Sequence, residues 1–379
     1  MSHYLRMRSG DKRYIWELHD WPHWVYDHKR LSPILVQVHR AQGRLLGRMT
    51  DVGMDLRNEA SLRALTEEVL RTSEIEGEKL DMESVRSSIA LRLGVDIGAL
   101  TPADRHVDGV VDMVLDATRQ HDQSLTAERL FGWHASLFPT GYSGMTKLRV
   151  GVWRDDQQGP MQVVSGPLHR HKVHYEAPPA ELVDAEISDF LLWFNIDQQD
   201  DPVIKAGLAH LWFVTIHPFD DGNGRIARAI GDMALARAEQ SSQRYYSLSA
   251  QIQRERKDYY RLLETTQKGA MDVTEWLEWF LACLLRALNN ADQTLSSVLM
   301  KSHFWQRWSG VPLNDRQIKL LNQLLDGFEG KLSSSKWAAI AKCSQDTALR
   351  DITELLEQGI LMRSEASGRS TSYELTPLV

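Results

Sequence analysis

Apolar residues recur every three or four positions along most of the chain, which is the spacing of amphipathic helices. Three tryptophans near the start, Trp16, Trp21 and Trp24, precede the first of these segments. We interpret them as core-packing residues rather than as a platform for a ligand. The spacing predicts helices over Leu31–Met54, Glu59–Leu70, Asp81–Leu93, Val107–Arg119, Ala127–Leu137 and Pro179–Asn195.

One stretch in the middle of the chain departs from this pattern. The β-prone segments Lys147–Val152 and Gln162–Val173 are separated by Gly159-Pro160. Glycine and proline punctuate strands, so we predict a hairpin or an extended flap here.

A strongly apolar helix follows the flap. Asp201-Pro202 suits an N-cap and first helical position. The helix runs into His217-Pro218, where the proline should end it and push His217 toward an extended conformation. Its inward face is predicted to carry Ile204, Leu208, Leu211, Trp212 and Thr215.

The C-terminal segment has its own pattern, and Ser309–Pro312 is the best domain boundary. Three short helical patterns and two β-like runs in under 70 residues are typical of a winged helix. Ser344 is a predicted N-cap, and residues 345–351 would begin a recognition helix. The predicted elements are Asp315–Phe328, Ser335–Ala341, Gln345–Gln358, Ile360–Arg363 and Thr371–Leu375.

Composition restricts the class of protein. At 379 residues the chain suggests two or three domains, and 42% hydrophobic with 25% charged residues is typical of a soluble protein. A net charge of −7 argues against wholesale electrostatic binding to nucleic acid or an anionic membrane. Cys283 and Cys343 are too far apart for a CxxC motif, so a reducing cytoplasm fits. No signal-peptide run and no bilayer-spanning run is present in the sequence.

Residues 217–228 concentrate candidate chemistry in a short loop. His217 can accept a proton from an incoming hydroxyl near neutral pH. Asp221 is a hard oxygen ligand suited to Mg²⁺ with substrate phosphates. Gly222, Asn223 and Gly224 allow a tight turn whose N–H groups, with the following helix dipole, can bind an anion.

Two arginines complete the loop. Arg225 and Arg228 are three residues apart, share one helix face and can each grip phosphate oxygens with a bidentate fork. With no obvious covalent nucleophile present, direct in-line attack on phosphorus is the simplest mechanism. Each feature alone is more often structural, but their coincidence within twelve residues favours function. The Gly222-x-Gly224-x-x-Ala227 spacing matches a dinucleotide-binding fingerprint only superficially, because a helix rather than a strand precedes it.

These residues closely resemble the signature of the Fic family, HPFx(D/E)GNGRxxR, which His217–Arg228 matches throughout. The resemblance implies a mainly α protein. Its parts would be a helical N-terminal region over 1–104, a Fic core with a β-hairpin flap over 105–300, and a winged-helix-like domain over 311–379. It also implies an adenylyltransferase activity, in which AMP moves from ATP to a Ser, Thr or Tyr hydroxyl of a protein and pyrophosphate leaves.

The resemblance assigns roles residue by residue. His217 would be the general base, Asp221 would bind Mg²⁺, and the Gly222–Gly224 turn would form the anion hole. Arg225 would contact the β- or γ-phosphate and Arg228 the γ-phosphate. Tyr259 and Tyr260 would lie on the nucleotide side, with helix packing as the alternative, and Gln267 stands where asparagine is usual. The flap, with Met161, Gln162, Val163 and Val164, would pair with an extended target segment.

A second family pattern, (S/T)xxxE(G/N), matches Thr72–Gly77. In similar proteins it lies on an inhibitory helix, so Glu76 is predicted to pair with Arg228 and to keep that arginine from a γ-phosphate. A solvated acidic helix end is the alternative. The same glutamate could serve a second activity, de-adenylylation.

Other functions stay open. The enzyme could transfer another nucleotide such as UMP, or the chain could be a winged-helix transcription regulator with a nucleotide-sensing Fic core. Residues 311–379 carry eight basic and nine acidic residues, so DNA binding lacks support from charge and protein docking or a homodimer is as reasonable. His169, His171 and His174 in the flap resemble a metal cluster, but we interpret them as solvated or target-facing.

Overall fold

The computed structural model describes residues 14–98, 100–166, 172–196, 200–325, 332–364 and 372–377. The chain forms two compact units, one as far as Ala291 and one from Asp292. The predicted N-terminal region and the core that follows it therefore share one compact unit. The boundary between the two units falls inside the long helix Thr274–Arg307. It precedes the Ser309–Pro312 segment, which the sequence predicted as the domain boundary.

The N-terminal region is helical, with different bounds from those predicted. After a short 3-10 turn at Ile15–Glu17 come α1 (His28–Thr50), α2 (Met54–Ile75) and α3 (Met82–Leu93). The first predicted helix, Leu31–Met54, ends at Thr50 in the structure. Met54 instead begins α2, whose N-cap is Gly53. At its other end α2 runs past Leu70. Thr72 and Ser73 in this extension are buried, and Thr72 contacts the site described below.

A buried carboxylate anchors α2 to the rest of the unit. Glu68 is 2% exposed and accepts hydrogen bonds from Ser247 Oγ at 2.7 Å and from the Ser249 amide at 3.0 Å. These two donors lie at the start of α9 (Leu248–Arg254), where helix N–H groups lack intrahelical partners. The contact fixes the position of α2 relative to that helix.

The prediction that the early tryptophans pack is consistent with the structure. Trp21 and Trp24 meet edge to face, and both contact the buried Trp212 at ring distances of 6.2 and 6.0 Å. Trp21 Nε1 donates to Glu186 and Trp16 Nε1 to the Glu176 carbonyl. The indole N–H groups of Trp16 and Trp21 are thus satisfied within the fold, whereas the buried Nε1 of Trp24 has no hydrogen-bond partner among the described residues.

The centre of the first unit is α7 (Pro202–Ile216), which is buried on nearly every side. Its predicted N-cap is present, since the Asp201 side chain accepts from the Val203 amide at 2.9 Å. It packs against α8 (Asn223–Glu239), so the loop between them is held by two core helices. The surrounding helices are α4 (Arg105–Arg119), α5 (Ala127–Leu137), α6 (Ala180–Asn195), α10 (Arg256–Gln267) and α11 (Thr274–Arg307).

The predicted β region contains two small antiparallel hairpins. The first pairs β1 (Tyr142–Ser143) with β2 (Thr146–Lys147), and the second pairs β3 (Gln162–Ser165) with β4 (Lys172–Glu176).

The prediction of a strand over Lys147–Val152 is wrong beyond Lys147. The amides of Arg149 and Gly151 bond to the side chains of Asp220 and His134, so they are unavailable to a partner strand. The first contact ties the segment to the loop after α7 and the second ties it to the helix Ala127–Leu137.

The second unit contains the elements that the sequence predicted, in the same order. They are α12 (Asp315–Leu325), α13 (Ser334–Ala341), α14 (Gln345–Glu357), β5 (Leu361–Arg363) and β6 (Tyr373–Leu375). Ser344 caps α14 as predicted, and Leu332 bridges Tyr373 beside the hairpin. Buried Trp337, Ile352 and Leu355 lie in its core. The winged-helix assignment itself stays a prediction.

Candidate active site

His217 closes α7 in the left-handed conformation, with φ of 52° and ψ of 57°. The prediction of an extended histidine is therefore wrong. A following proline disfavours the right-handed helical region. In the left-handed conformation the His217 amide still donates to the Phe213 carbonyl at 3.0 Å, which holds the residue at the end of α7. A histidine with positive φ is uncommon, and such strain concentrates at functional sites.

The imidazole of His217 is oriented by the helix that it ends. Its Nδ1 lies 3.1 Å from the Val214 carbonyl, which can only accept, so Nδ1 carries the proton and the lone pair is on Nε2. Burial lowers the pKa of His217, although the Val214 carbonyl, Glu76 and Asp221 oppose that shift. The ring is thus neutral and able to accept a proton near neutral pH.

A buried arginine that the sequence did not indicate holds this loop. Arg154 is 3% exposed, its Nε donates to the His217 carbonyl at 2.8 Å, and its amide donates to the Pro218 carbonyl at 2.9 Å. The guanidinium also contacts the Pro178 carbonyl and pairs with Asp156 at 3.0 Å. No local motif marks Arg154, because it reaches the loop from 63 residues away.

Phe219 points inward, as predicted, and anchors the turn. It is fully buried and stacks on His134 with ring centroids 4.2 Å apart. The Asn223 side chain accepts from the Phe219 amide at 2.9 Å and donates to the Phe219 carbonyl at 2.8 Å. The Asn223 side-chain amide therefore closes the loop, while its backbone N–H lies at the start of α8.

The turn ends in a helix N-terminus suited to anions. Gly222 is the N-cap with φ of 80°, and the first helical bond of α8 runs from Ile226 N–H to the Gly222 carbonyl at 3.0 Å. The amides of Asn223, Gly224 and Arg225 thus have no acceptor within the helix. They form the positive end of the helix dipole, where an anion can bind.

Asp221 lies beside this N-terminus and is partly exposed. Its Oδ2 accepts from Ser143 Oγ at 2.6 Å and its Oδ1 from the Gly222 amide at 2.6 Å. Within the described ranges no group of three or more His, Cys, Asp or Glu side chains could hold a metal ion. One carboxylate completed by substrate phosphates and water is the arrangement Mg²⁺ commonly adopts, so Asp221 fits that ion.

The structure contains the predicted pair between Glu76 and Arg228. Glu76 Oε1 lies 2.8 Å from Nη2 of Arg228, whose side chain is 2% exposed. Thr72 adds two bonds, from Arg228 Nε to Oγ1 at 2.7 Å and from Nη2 to its carbonyl at 2.9 Å. Burial is the largest influence and lowers the pKa of Arg228, but the charge and hydrogen bond of Glu76 together with Tyr259 and Tyr260 outweigh it, so the net shift is upward.

Arg225 is held by a different carboxylate, which the sequence did not indicate. Its Nη1 lies 2.7 Å from Oε2 of Glu78, and the guanidinium stands 5.0 Å from the centroid of Phe138. The Arg225 side chain is 1% exposed while Glu78 is 34% exposed. Both signature arginines are thus paired with carboxylates that follow α2.

The three predicted nucleotide-side residues of α10 have different surroundings. Tyr259 is 1% exposed, and its hydroxyl lies 2.9 Å from His210 Nε2, which is the core-packing alternative. Tyr260 is 37% exposed and donates to the Ile75 carbonyl at 3.2 Å, close to the end of α2. Gln267 is buried, with Nε2 3.3 Å from Thr215 Oγ1.

The flap lies against the end of α7. Tyr175 in β4 donates to the Thr215 carbonyl at 2.6 Å. Met161 and Val163 pack on Tyr175, Gln162 bonds to Glu176, and Val164 is 49% exposed. Within the described part of the chain β3 pairs only with β4, so its outer edge is open to another strand.

One of the flap histidines is bonded within the protein. Val163 pairs with Tyr175 and Val164 with Val173, so His174 is the extra residue of a β-bulge. Its Nε2 lies 2.6 Å from Ser165 Oγ and its Nδ1 2.6 Å from Glu264. His169 and His171 lie outside the described residues.

Comparison with known families identifies this site. Residues 124–235 match the model of the Fic/DOC family, and residues 14–95 match a domain of unknown function, DUF4172. The chain therefore carries a Fic domain, and the loop after α7 lies within the matched residues.

Individual relatives agree. A protein adenylyltransferase Fic of Culex quinquefasciatus is 34% identical over 133 residues, which is 34% of this chain and 25% of that protein. The protein of the same name from Aedes aegypti is 24% identical over 255 residues, 64% of this chain and 45% of that protein. The chain thus spans less than half the length of these relatives.

A solved structure shares the fold. The crystal structure of a Fic family protein from Desulfovibrio desulfuricans G20 superimposes with a TM-score of 0.51 at 21% identity, over 92% of this chain and 97% of that one. Within the described ranges, no helix combines the length and the apolar character that a membrane crossing needs.

Proposed function

We propose that this protein is an autoinhibited protein adenylyltransferase, which moves AMP from ATP to a Ser, Thr or Tyr hydroxyl of a target protein. The observation that carries the proposal is the position of His217 next to the N-terminus of α8. A proton acceptor and an anion site then flank one phosphorus, which is what in-line attack by a hydroxyl requires.

The phosphates are proposed to bind at the α8 N-terminus. The amides of Asn223, Gly224 and Arg225 supply hydrogen-bond donors there, and the helix dipole adds positive potential. Arg225 and Arg228 add two buried guanidinium groups on the same helix. Such preorganised charge stabilises the charge that develops as pyrophosphate leaves.

His217 is proposed to remove the proton from the attacking hydroxyl. The Val214 carbonyl holds the Nδ1 proton, so Nε2 is the atom that receives the new one. Oxygen bonds to the α-phosphorus as the α–β phosphoanhydride bond breaks, and the imidazolium is left beside the carboxylates of Glu76 and Asp221.

Asp221 is proposed to hold Mg²⁺ together with the phosphates of the nucleotide. When bound, the ion would neutralise phosphate charge and orient the triphosphate. Ser143 and the Gly222 amide already fix the carboxylate in place through one oxygen each. This ordering reduces the entropy lost when a ligand binds.

The flap is proposed to dock the target. An extended peptide can add to the open edge of β3, with Val163 and Val164 as side-chain neighbours. The bond from Tyr175 to the Thr215 carbonyl keeps this edge near the end of α7. A hydroxyl in the docked segment would then lie close to the helix that ends at His217.

The Glu76–Arg228 pair is proposed to be the inhibitory contact. Glu76 and Thr72 occupy Nη2 and Nε of the buried Arg228, so only Nη1, which has no partner among the described residues, is left for a γ-phosphate, and the bidentate fork is blocked. The carboxylate also adds negative charge where the nucleotide would bring its own. The Glu76–Arg228 contact would therefore inhibit transfer by opposing the binding of the phosphates rather than by disabling the proton acceptor.

Transfer is tested in the Glu76→Gly variant with ATP labelled either at the α-phosphate or at the γ-phosphate, and with α-labelled UTP as a competitor substrate. The proposal expects protein-bound label from α-labelled ATP and none from γ-labelled ATP. Label from γ-labelled ATP would indicate a kinase, and preferential label from UTP would indicate a uridylyltransferase. Release of AMP from a modified target by the protein with Glu76 intact would favour de-adenylylation.

A further inference from the structure

The turn after α2 presents two carboxylates to α8, and its geometry fixes both. Gly77 has φ of 88°, its amide donates to the Glu74 carbonyl at 3.0 Å, and the Glu78 amide donates to the Ser73 carbonyl at 3.0 Å. This is the hydrogen-bond pattern of a Schellman C-cap, which reverses the chain tightly. Glu76 and Glu78 are thereby held on the same side, toward Arg228 and Arg225.

Glu78 is shared between two cationic partners. Its Oε2 lies 2.7 Å from Arg225 Nη1 and 3.2 Å from His106 Nε2. Arg225 is almost fully buried, whereas His106 and Glu78 are 35% and 34% exposed. Glu78 can therefore leave the buried arginine and keep a partner at the surface.

The two contacts of His106 both call for a donor. Nδ1 lies 3.2 Å from the Leu137 carbonyl and Nε2 lies 3.2 Å from the Glu78 carboxylate. Both partners accept only, and a neutral imidazole has a single N–H, so the neutral ring satisfies one of these contacts and each contact favours protonation. The charged groups that face His106 are Glu78 from the turn after α2 and Arg225 from α8.

We infer that Glu78 is a second inhibitory residue of the nucleotide site. Its release from Arg225, which leaves it with His106 alone, links nucleotide binding to the uptake of a proton. The inference rests on the proposed function, because it takes Arg225 as a phosphate ligand. In the closed state Glu78 occupies the guanidinium of Arg225. In the nucleotide-bound state a phosphate takes its place, and Glu78 remains with protonated His106.

The sign of the linkage follows from charge. The bond to Glu78 raises the pKa of His106, while the Arg225 charge lowers it. A phosphate on Arg225 cancels that lowering and leaves Glu78 to His106 alone, so the pKa of His106 rises further on binding. Nucleotide affinity should then increase as the pH falls through a window that begins above the ordinary His106 value of 6.5.

The test is titration calorimetry of the full chain with Mg²⁺ and α,β-methylene-ATP. The α–β linkage of this analogue cannot be cleaved, so no AMP is transferred during the titration. Titrations between pH 6 and 8 in buffers of different ionisation enthalpy report proton uptake directly. The wild-type protein should take up a fraction of a proton, with an affinity gain of less than about tenfold per pH unit. Binding heats that do not depend on the buffer would overturn the inference.

Three variants separate the linkage from a general effect of charge. Glu78→Gln should bind roughly three- to tenfold more tightly at pH 8 and lose the proton uptake. His106→Gln should lose the uptake as well, because its side chain does not titrate. Glu74→Gln is the matched control, since Glu74 lies in the same helix end but pairs with Arg71, and it should behave as wild type.

The outcomes distinguish this inference from the proposed function. Uptake that persists in His106→Gln, or a Glu74→Gln variant that behaves like Glu78→Gln, sinks the inhibitory role of Glu78 alone. Normal, proton-linked binding with no transfer of AMP from ATP even in Glu76→Gly sinks the adenylyltransferase and leaves the linkage standing. A chain that binds no nucleotide in any variant contradicts both.

Discussion

Oε1 of Glu76 lies 2.8 Å from Nη2 of Arg228, and a Cβ atom added to Gly224 would stand 2.2 Å from the same oxygen. The carboxylate therefore sits directly over the first turn of α8. A glycine at this position is what allows the approach. The contact joins the helix that precedes the Fic domain to the turn that we propose binds phosphate.

Replacing Gly224 should disturb this contact specifically. In Gly224→Ala the new methyl group collides with the Glu76 carboxylate, so the closed state should lose about 1–3 kcal/mol of stability. Thermal unfolding measures the loss. In a Glu76→Gly background the same substitution should cost little further stability, and an equal loss in both backgrounds would show that the methyl group clashes elsewhere.

His217→Ala should abolish transfer and spare binding. The imidazole is the proposed proton acceptor, and general base catalysis typically contributes about 10²- to 10⁴-fold. The rate of AMP incorporation in a Glu76→Gly background should fall by that factor. The dissociation constant for ATP should change little, and a variant that transfers AMP at the parent rate would show that another group accepts the proton.

The rate of transfer should fall at acidic pH. Burial lowers the pKa of His217, and the neutral form is the one that accepts a proton. Activity at saturating ATP should therefore be constant near neutrality and fall as the pH drops through a value below 6.5. Saturating nucleotide keeps any effect of His106 on affinity out of the profile, and a midpoint above neutrality would contradict this role of His217.

Tyr259→Phe distinguishes packing from nucleotide binding. The variant leaves His210 Nε2 without its partner, and the Nδ1 atom of His210 already has none in the described part of the protein. Unfolding should become easier by about 1–3 kcal/mol, while the Michaelis constant for ATP stays the same. Tyr260→Phe is the matched control. A raised Michaelis constant for ATP in Tyr259→Phe alone would show that Tyr259 contacts the nucleotide.

The sequence predicted the site best where its parts are contiguous. The loop from His217 to Arg228 needs only a helix end, a turn and a helix start, so local spacing was sufficient. The Glu76–Arg228 pair followed from resemblance to a family pattern rather than from spacing. The backbone of His217 was predicted wrongly, because a following proline excludes the right-handed region without choosing between the remaining ones.

The sequence did not predict the other long-range contacts of the site. Arg154 and Glu78 reach the loop from distant segments, 63 and 147 residues away from their partners, and neither belongs to a motif. The adjacent tyrosines of α10 point in different directions around the helix, so Tyr259 is in the core while Tyr260 is near the end of α2. Spacing could not tell which of the two faces the site.

The most direct measurement of the central claim is the mass of the Glu76→Gly protein after incubation with ATP and Mg²⁺, beside the wild type and Glu76→Gly/His217→Ala. Removing Glu76 frees Arg228 for phosphate, so the single variant should gain the mass of AMP on itself or on an added target. Incorporation should exceed that of the wild type by about tenfold or more. The double variant should gain nothing, and an unchanged mass in Glu76→Gly, or equal gains in all three proteins, would contradict the account.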